Sequence, residues 1–203
     1  MEALLLIDIQ NDFLPGGALE VNHGDAILPI VNQLIKKFKL VIATQDWHPA
    51  DHKSFASNHA TRKVGDIIKL NGLDQILWPD HCVQGSFGAE LSEKLDTSTL
   101  TKIFLKGTDP KIDSYSGFFD NGHLKSTGLS DYLKDLNVDK IYISGLATDY
   151  CVKYTALDAI QEGFKTWVVV DGTRAVNLHP NDFEKAIKEM EAAGVKTISS
   201  EDL

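Results

Sequence analysis

The chain has 203 residues, of which 43% are hydrophobic, and this suits one globular domain with a full core. Its 20 Lys and Arg against 29 Asp and Glu give a net charge of −9, which argues against nucleic acid as a partner. No apolar stretch approaches the roughly 20 residues of a membrane span, and the N-terminus lacks the positive charge of a signal peptide. We therefore expect a cytoplasmic protein with no membrane partner, in which Cys82 and Cys151 are free thiols.

Six short apolar runs, rich in β-branched residues and without clean alternation, predict strands that are covered on both faces. They span 3–8, 40–44, 102–106, 140–145, 166–171 and 196–200. Amphipathic segments at 25–38 and 181–194 predict helices between the strands. The alternation predicts an α/β fold: a mainly parallel six-stranded sheet with helices on both faces, in one domain over 1–203.

The connection from about 45 to 101 is long, rich in Trp, Pro, Gly, His and Asp, and has little periodicity. Such a long irregular connection inside a compact domain is usually functional. We interpret it as an insertion that builds a site, with one short helix near 87–95. A second irregular stretch, 107–123, is expected to form another loop over the same edge of the sheet.

Chemically useful side chains stand where the predicted strands end. Asp8, Asp46 and Lys106 lie at or just past three strand ends, and the turn 145–151 follows a fourth. Ligands of open parallel sheets bind at the carboxyl ends of the strands. We therefore expect two acids, one base and a thiol on one rim.

Cys151 is the candidate nucleophile on this rim. A helix N-terminus and a nearby cation both favour a thiolate. Asp8 could accept the thiol proton, and Lys106 could stabilise the anionic pair. The alternative is a cysteine that only fills the core, with Asp8 and Lys106 solvated, and the spacing alone does not separate the two.

The segment GLATDYC (145–151) is predicted to be a tight turn into a helix. Thr148 and Asp149 are N-cap candidates, which would place Cys151 in the first helical turn. The backbone N–H groups of Ala147 and Cys151 could then hold an oxyanion.

Asp46, His48 and His81 are candidate metal ligands within the insertion. Asp46 and His48 stand two apart on a segment that leaves a strand, and His81 would come from the far end. One carboxylate and two imidazoles suit Zn²⁺, Fe²⁺ or Mn²⁺ and leave positions open for water or substrate. Ordinary loop histidines are the alternative, and a ligand role for His52 stays open.

Phe13 and Trp78 are candidates for the walls of a pocket, because flat side chains near a metal and a thiol could sandwich a planar ring. Tyr115 is a weaker candidate for the same role. The alternative for these aromatic residues is core packing.

The motifs, taken together, resemble those of nicotinamidases, which are isochorismatase-like cysteine hydrolases. The resemblance covers nearly the whole chain in order. It rests on LLLIDIQNDFLPGGAL (4–19), IATQDWHPADHKSFA (42–56), WPDHCVQGSFGAEL (78–91), DSYSGFFDNG (113–122), GLATDYCVKYTALDA (145–159) and VVDGTRAVN (169–177).

The resemblance implies a Rossmann-like three-layer sandwich and a role for each candidate residue. The catalytic residues would be Asp8, Lys106 and Cys151, with a non-proline cis peptide bond between Leu146 and Ala147. Backbone amides of Ala147 and Cys151 would form the oxyanion hole, Phe13 and Trp78 would hold the pyridine ring, and Asp46, His48 and His81 would bind a divalent metal. Zinc is the first choice of metal, with Fe²⁺ or Mn²⁺ as alternatives.

The implied activity is hydrolysis of nicotinamide to nicotinate and ammonia through a thioester, in NAD salvage, with pyrazinamide as a second substrate. A homo-oligomer is left open. Two alternatives remain: an amidase of the same fold that acts on another small amide, and a non-catalytic module that binds a metal or an aromatic ligand.

Overall fold

A computed structural model, which describes residues 1–203, contains a six-stranded sheet in which every neighbouring pair of strands is parallel. The strands are β1 (Glu2–Ile7), β2 (Val41–Asp46), β5 (Leu100–Lys106), β6 (Lys140–Leu146), β7 (Lys165–Arg174) and β8 (Lys196–Ile198). The order across the sheet is β5-β2-β1-β6-β7-β8. All six predicted strands are therefore confirmed.

Helices cover both faces of this sheet. They are α1 (Leu28–Ile35), α2 (Leu129–Asp135), α3 (Lys153–Gln161) and α4 (Asp182–Ala192). Successive residues of β1 point to opposite faces: Leu4 belongs to one buried cluster with Val31 of α1, and Leu5 to the other with Ala156 of α3. The predicted α/β fold with a doubly covered parallel sheet is confirmed. None of the helices combines the length and the apolar character that crossing a membrane requires.

The long connection between β2 and β5 contains an antiparallel hairpin, formed by β3 (Ile67–Leu70) and β4 (Leu73–Ile76). The prediction of a helix near 87–95 is wrong, because only one 3₁₀ turn forms there, at Phe87–Ala89. The chain beyond it instead pairs with the loop that follows β1. Backbone bonds from Asn11 N–H to Glu90 O (3.0 Å) and from Ser92 N–H to Ile9 O (2.9 Å) replace the helical ones.

Gly145 of β6 lies very close to Ile7 of β1. Its φ is +125°, and a Cβ atom there would lie 2.2 Å from the carbonyl oxygen of Ile7. Gly163 offers a matched comparison, because its φ is +91° but an added Cβ would meet nothing within 4 Å.

Gly145→Ala is therefore expected to lower the free energy of unfolding by more than about 3 kcal/mol, since two packed strands would have to separate. Gly163→Ala should cost only about 1–2 kcal/mol, the strain of a left-handed backbone. Urea unfolding of both variants measures the difference. Equal losses would contradict the close approach assigned to Gly145.

Candidate active site

The ammonium of Lys106, at the end of β5, is buried at the centre of the site. Its Nζ lies 2.8 Å from Asp8 Oδ2, 2.6 Å from Asp46 Oδ1 and 3.4 Å from Cys151 Sγ. It also donates to the carbonyl oxygen of Ser114, at 2.8 Å. Because β5, β2, β1 and β6 are consecutive in the sheet, their carboxyl ends place these groups side by side. The structure thus brings the predicted rim residues together.

Asp8 and Asp46 share the Lys106 ammonium, but their pKa values are shifted in opposite directions. Burial raises the pKa of Asp8, and the attraction of Lys106 only partly opposes this. Burial would also raise the pKa of Asp46, but Lys106 and His48 outweigh it and hold that pKa far below its usual range. Titrating pairs that are pushed apart in this way mark acid and base roles. Asp46 therefore stays ionised, and Asp8 is the group that is suited to take up a proton.

Cys151 is buried, with 6% of the residue exposed. Burial raises its pKa well above the usual value, against the effect of Lys106, which lowers it. Burial alone would lower the pKa of Lys106, but Asp46 and Asp8 raise it well above the usual range. The resting site therefore holds a neutral thiol beside a permanent ammonium, and the thiol must lose its proton to become a nucleophile.

The turn that carries Cys151 differs from the predicted one. The Leu146–Ala147 peptide bond is cis, and residues 148–152 form a π-helical turn before α3 begins. The prediction that Thr148 or Asp149 caps the helix is wrong, because neither side chain forms a capping hydrogen bond. The Asp149 carboxylate instead accepts hydrogen bonds from the backbone N–H groups of residues 176 and 177, at 2.9 Å each.

Asp46, His48 and His81 form a second buried group, with ligand atoms that all lie within 4.8 Å of one another. Asp46 Oδ2 is 3.7 Å from His48 Nε2 and 3.9 Å from His81 Nε2. The Nδ1 atoms of His48 and His81 lie 2.9 and 2.8 Å from the carbonyl oxygens of Gly107 and Pro79. Because a carbonyl only accepts, both Nδ1 atoms carry hydrogen, and in a neutral ring Nε2 is then free to bind a metal.

The protonation of these histidines is compatible with a cation between them. Burial and the neighbouring His48 lower the pKa of His81 to about 4, so His81 is neutral at pH 7. Burial alone would lower the pKa of His48, but Asp46, together with a smaller effect of Asp113, outweighs burial, so this pKa is raised. A positive charge beside Asp46 is therefore favoured, and the donor set of one carboxylate and two imidazoles fits a divalent metal.

His52 lies behind His48, with their ring centroids 4.4 Å apart. Its Nδ1 accepts a hydrogen bond from the backbone N–H of Ser54 (3.2 Å), and its Nε2 lies 3.3 Å from the carbonyl oxygen of Ile112. Both ring nitrogens thus have protein partners, which makes His52 a support for the site in this structure.

A small cavity opens onto both groups. Its volume is about 30 Å³. Its lining comprises Phe13, Leu19, Asp46, Trp78, His81, Asp113, Tyr115, Ala147, Tyr150, Cys151 and Val176. Trp78 Nε1 donates to Tyr115 Oη at 3.1 Å, and the Trp78 ring meets Tyr150 edge to face. A wider surface cleft beside the β3–β4 hairpin, of about 380 Å³, contains neither the thiol nor the histidines.

Four of these lining residues were absent from the sequence interpretation: Leu19, Asp113, Tyr150 and Val176. Tyr150 could have been found, because it immediately precedes the candidate nucleophile. Asp113 and Val176 lie in irregular segments after β5 and β7, where no periodicity or spacing marks one polar or apolar residue above its neighbours.

A buried thiol with an adjacent carboxylate and lysine, next to a candidate metal group, is the arrangement of a cysteine hydrolase. Comparison with known proteins gives the family. Residues 2–202 match the isochorismatase domain, so the chain belongs to that family. Over 196 residues, covering 95% of this chain and 92% of the relative, it is 50% identical to the nicotinamidase of Escherichia coli (strain K12). The resemblance to nicotinamidases is therefore confirmed.

Solved structures agree with this assignment. A nicotinamidase and pyrazinamidase from Acinetobacter superposes with a TM-score of 0.96 at 44% identity, covering 99% of this chain and 97% of that one. PnC1 from L. infantum, in complex with nicotinate, gives 0.87 at 35% identity, with 99% and 93% covered. The pyrazinamidase of Pyrococcus horikoshii, in complex with zinc, gives 0.79 at 39% identity, with 98% of each chain covered.

Lys106→Met tests the electrostatic role of the buried ammonium. Because Lys106 lowers the pKa of Cys151, its removal should raise that pKa further and slow alkylation of Cys151 by iodoacetamide at neutral pH by at least about tenfold. Lys102→Met, on the same strand but exposed, is the matched control and should react like the unaltered protein.

Peptide mass spectrometry would follow the alkylation of Cys151, and near-ultraviolet circular dichroism would establish that each variant is folded. An unchanged rate in folded Lys106→Met would contradict the proposed influence of the ammonium on the thiol.

Proposed function

We propose that this chain is a nicotinamidase, an amidohydrolase that converts nicotinamide to nicotinate and ammonia through a thioester on Cys151. One observation carries the proposal: the Lys106 ammonium contacts Asp8, Asp46 and the Cys151 sulfur, so the thiol and the Asp46–His48–His81 group serve one cavity. The high identity to the Escherichia coli nicotinamidase supports the same substrate.

In the first step, Cys151 Sγ attacks the carboxamide carbon while Asp8 takes the thiol proton. The C–N bond then breaks, and the proton on Asp8 passes to the departing nitrogen, which leaves as ammonia. A thioester between Cys151 and the nicotinoyl group remains. In the second step a water molecule gives a proton to Asp8 and adds to the thioester, which releases nicotinate and restores the thiol.

Lys106 stays protonated throughout, since its contacts with the two carboxylates raise its pKa well above the usual range. It stabilises the negative charge that moves between Cys151 and Asp8. The backbone N–H groups of Ala147 and Cys151 are proposed to hold the carbonyl oxygen as it becomes an oxyanion. Phe13 and Trp78, which line the cavity, would hold the flat pyridine ring against these groups.

Asp46, His48 and His81 would hold one divalent cation, and their free Nε2 atoms and ionised carboxylate fit this role. When bound, the cation supplies a Lewis acid that orients the pyridine nitrogen of the substrate. Zinc is proposed as the ion, because the similar pyrazinamidase of Pyrococcus horikoshii is in complex with zinc; Fe²⁺ and Mn²⁺ suit the same ligands.

The wider setting is proposed on the same basis. A nicotinamidase returns nicotinamide to NAD synthesis, so the protein would act in NAD salvage in the cytoplasm. Residues 1–203 are proposed to form one domain, with the segment 45–101 inserted to supply metal ligands and Trp78. The small molecule is the expected partner, and neither nucleic acid nor a membrane is.

The direct test measures ammonia release from nicotinamide by the purified protein. Cys151→Ala should lose activity by at least about 10⁴-fold, because no other group can form the thioester. Cys82→Ala is the matched control: Cys82 is likewise a buried thiol, lies outside the cavity lining and should retain activity within about threefold.

Chelation of the metal should abolish turnover, and added Zn²⁺ should restore it. If the folded, metal-loaded protein releases no ammonia from nicotinamide, the assignment is wrong, and another small amide becomes the candidate substrate. A Cys151 that also fails to react with iodoacetamide would favour the non-catalytic module.

Pyrazinamide should also be hydrolysed, with kcat/KM within about a hundredfold of that for nicotinamide, because its ring keeps a nitrogen in the corresponding position. Benzamide lacks that nitrogen and should be slower than nicotinamide by at least about a hundredfold. The same ammonia assay compares all three. Turnover of benzamide at the rate of nicotinamide would contradict the role given to the ring nitrogen.

A further inference from the structure

Asp113 is a buried carboxylate of the cavity for which the proposed mechanism has no role. It is 3% exposed and lies in the loop after β5. Its Oδ1 accepts from the backbone N–H of Ser114 (2.8 Å), and its Oδ2 accepts from Gln75 Nε2 (3.1 Å). Both partners are neutral. Unlike Asp8 and Asp46, which share Lys106, Asp113 forms no ion pair within the chain.

Buried acidic side chains outnumber buried basic ones around the cavity. Asp8, Asp46 and Asp113 are three buried acids, and Lys106 is the one lysine or arginine that is buried with them. Lys106 contacts Asp8 and Asp46 but forms no ion pair with Asp113. A buried carboxylate is costly unless it is compensated, and a divalent cation beside Asp46 would supply positive charge close to Asp113.

The position of Asp113 agrees with this count. Asp113 lines the same cavity as Asp46 and His81. A carboxylate oxygen of Asp113 also lies within 4.8 Å of ring nitrogens of His48 and His52. Asp113 forms no ion pair with either ring, and a gap of less than 4.8 Å can be spanned by a single bridging water. Asp113 therefore stands one layer outside the proposed ligands.

Gln75 fixes the direction of this carboxylate. Its side-chain nitrogen lies 3.1 Å from Asp113 Oδ2, 3.1 Å from Tyr115 Oη and 2.7 Å from the carbonyl oxygen of Ile76. Gln75 is 3% exposed and belongs to strand β4 of the hairpin. The hairpin thus supports the rear of Asp113, and the remaining lone pairs of the carboxylate are available to the cavity.

We propose that Asp113 is a positioning residue for the divalent cation, an outer carboxylate that balances its charge and accepts hydrogen bonds from water around it. This inference rests on the proposed function, because it assumes a cation at Asp46, His48 and His81. Outer groups of this kind change metal affinity by about 10–100-fold when they are altered. Asp113 would act on how tightly the cation is held, without touching the reacting atoms.

The experiment measures Zn²⁺ affinity of the metal-stripped full chain by competition with a chromophoric chelator. Asp113→Asn should bind Zn²⁺ about 10–100-fold more weakly than the unaltered protein. Asp120→Asn is the matched control. Asp120 belongs to the same loop, is also buried and accepts from the backbone N–H groups of Gly122 and Leu124, but it lies outside the cavity lining. It should bind Zn²⁺ within about twofold of the unaltered protein.

Circular dichroism of the metal-free variants establishes that they are folded. If Asp113→Asn does not fold, Asp113→Ser takes its place, since a hydroxyl can still accept from the N–H of Ser114. Zn²⁺ affinity within about twofold of the unaltered protein in the folded variant would overturn the inference. An equal loss in Asp120→Asn would also overturn it, because the effect would then belong to the loop.

The role of Asp113 and the nicotinamidase assignment can fail separately. In one outcome, the unaltered protein binds Zn²⁺, Asp113→Asn binds it more weakly, and the unaltered protein releases no ammonia from nicotinamide. That outcome supports the role of Asp113 and refutes the nicotinamidase assignment. A protein that binds no divalent cation refutes the role of Asp113 together with the metal group.

Discussion

The Lys106 ammonium, buried against Asp8 and Asp46, is the interaction on which the arrangement of the site depends. A lysine in that position is tolerated only because two carboxylates lie 2.8 and 2.6 Å from it. Those carboxylates come from the ends of β1 and β2, and the Cys151 sulfur, 3.4 Å away, follows β6. The consecutive order β5-β2-β1-β6 is what brings the four groups together. The Lys106 ammonium therefore links the Cys151 thiol to Asp46, which belongs to the histidine group.

The shared contact with Lys106 also leaves Asp46 and Asp8 with different chemical roles. Asp46 is drawn toward Lys106 and two imidazoles and stays ionised, which suits a metal ligand. Asp8 has Lys106 and the Thr44 hydroxyl, which donates at 2.6 Å, but burial still raises its pKa. A carboxylate whose pKa is raised toward neutrality is a better proton carrier than one with the usual pKa. One residue type thus serves two purposes, because the surroundings of Asp8 and Asp46 differ.

Much of this arrangement could be predicted from the sequence. The six apolar runs have the length and composition of doubly covered strands, and all six form. The rule that parallel strands present their carboxyl ends at one edge then places Asp8, Asp46 and Lys106 together without any knowledge of their contacts. His81 is different, since it lies in an irregular loop. Its residue type made it a candidate ligand beside Asp46 and His48, but only the resemblance to nicotinamidases favoured that role over an ordinary loop histidine.

The errors have a common physical origin in contacts between distant segments. The helix expected near 87–95 gives way to backbone pairing with the loop after β1. The capping expected of Asp149 is lost to backbone N–H groups beyond β7. The β3–β4 hairpin contacts the buried Asp113 through a hydrogen bond from Gln75. No local sequence pattern predicts the hairpin or the burial of Asp113. Local propensity is a weak guide wherever such long-range hydrogen bonds are available.

The proposed mechanism requires Cys151 to become covalently attached to the acyl group of the substrate. Rapid acid quenching during turnover of nicotinamide, followed by mass spectrometry of the peptide that contains Cys151, would detect this attachment. A nicotinoyl group is expected on that peptide during turnover, should disappear once the substrate is consumed and should be absent from the Cys82 peptide. Rapid turnover with no adduct on Cys151, and no hydroxamate when hydroxylamine replaces water as the acceptor, would contradict the thioester mechanism.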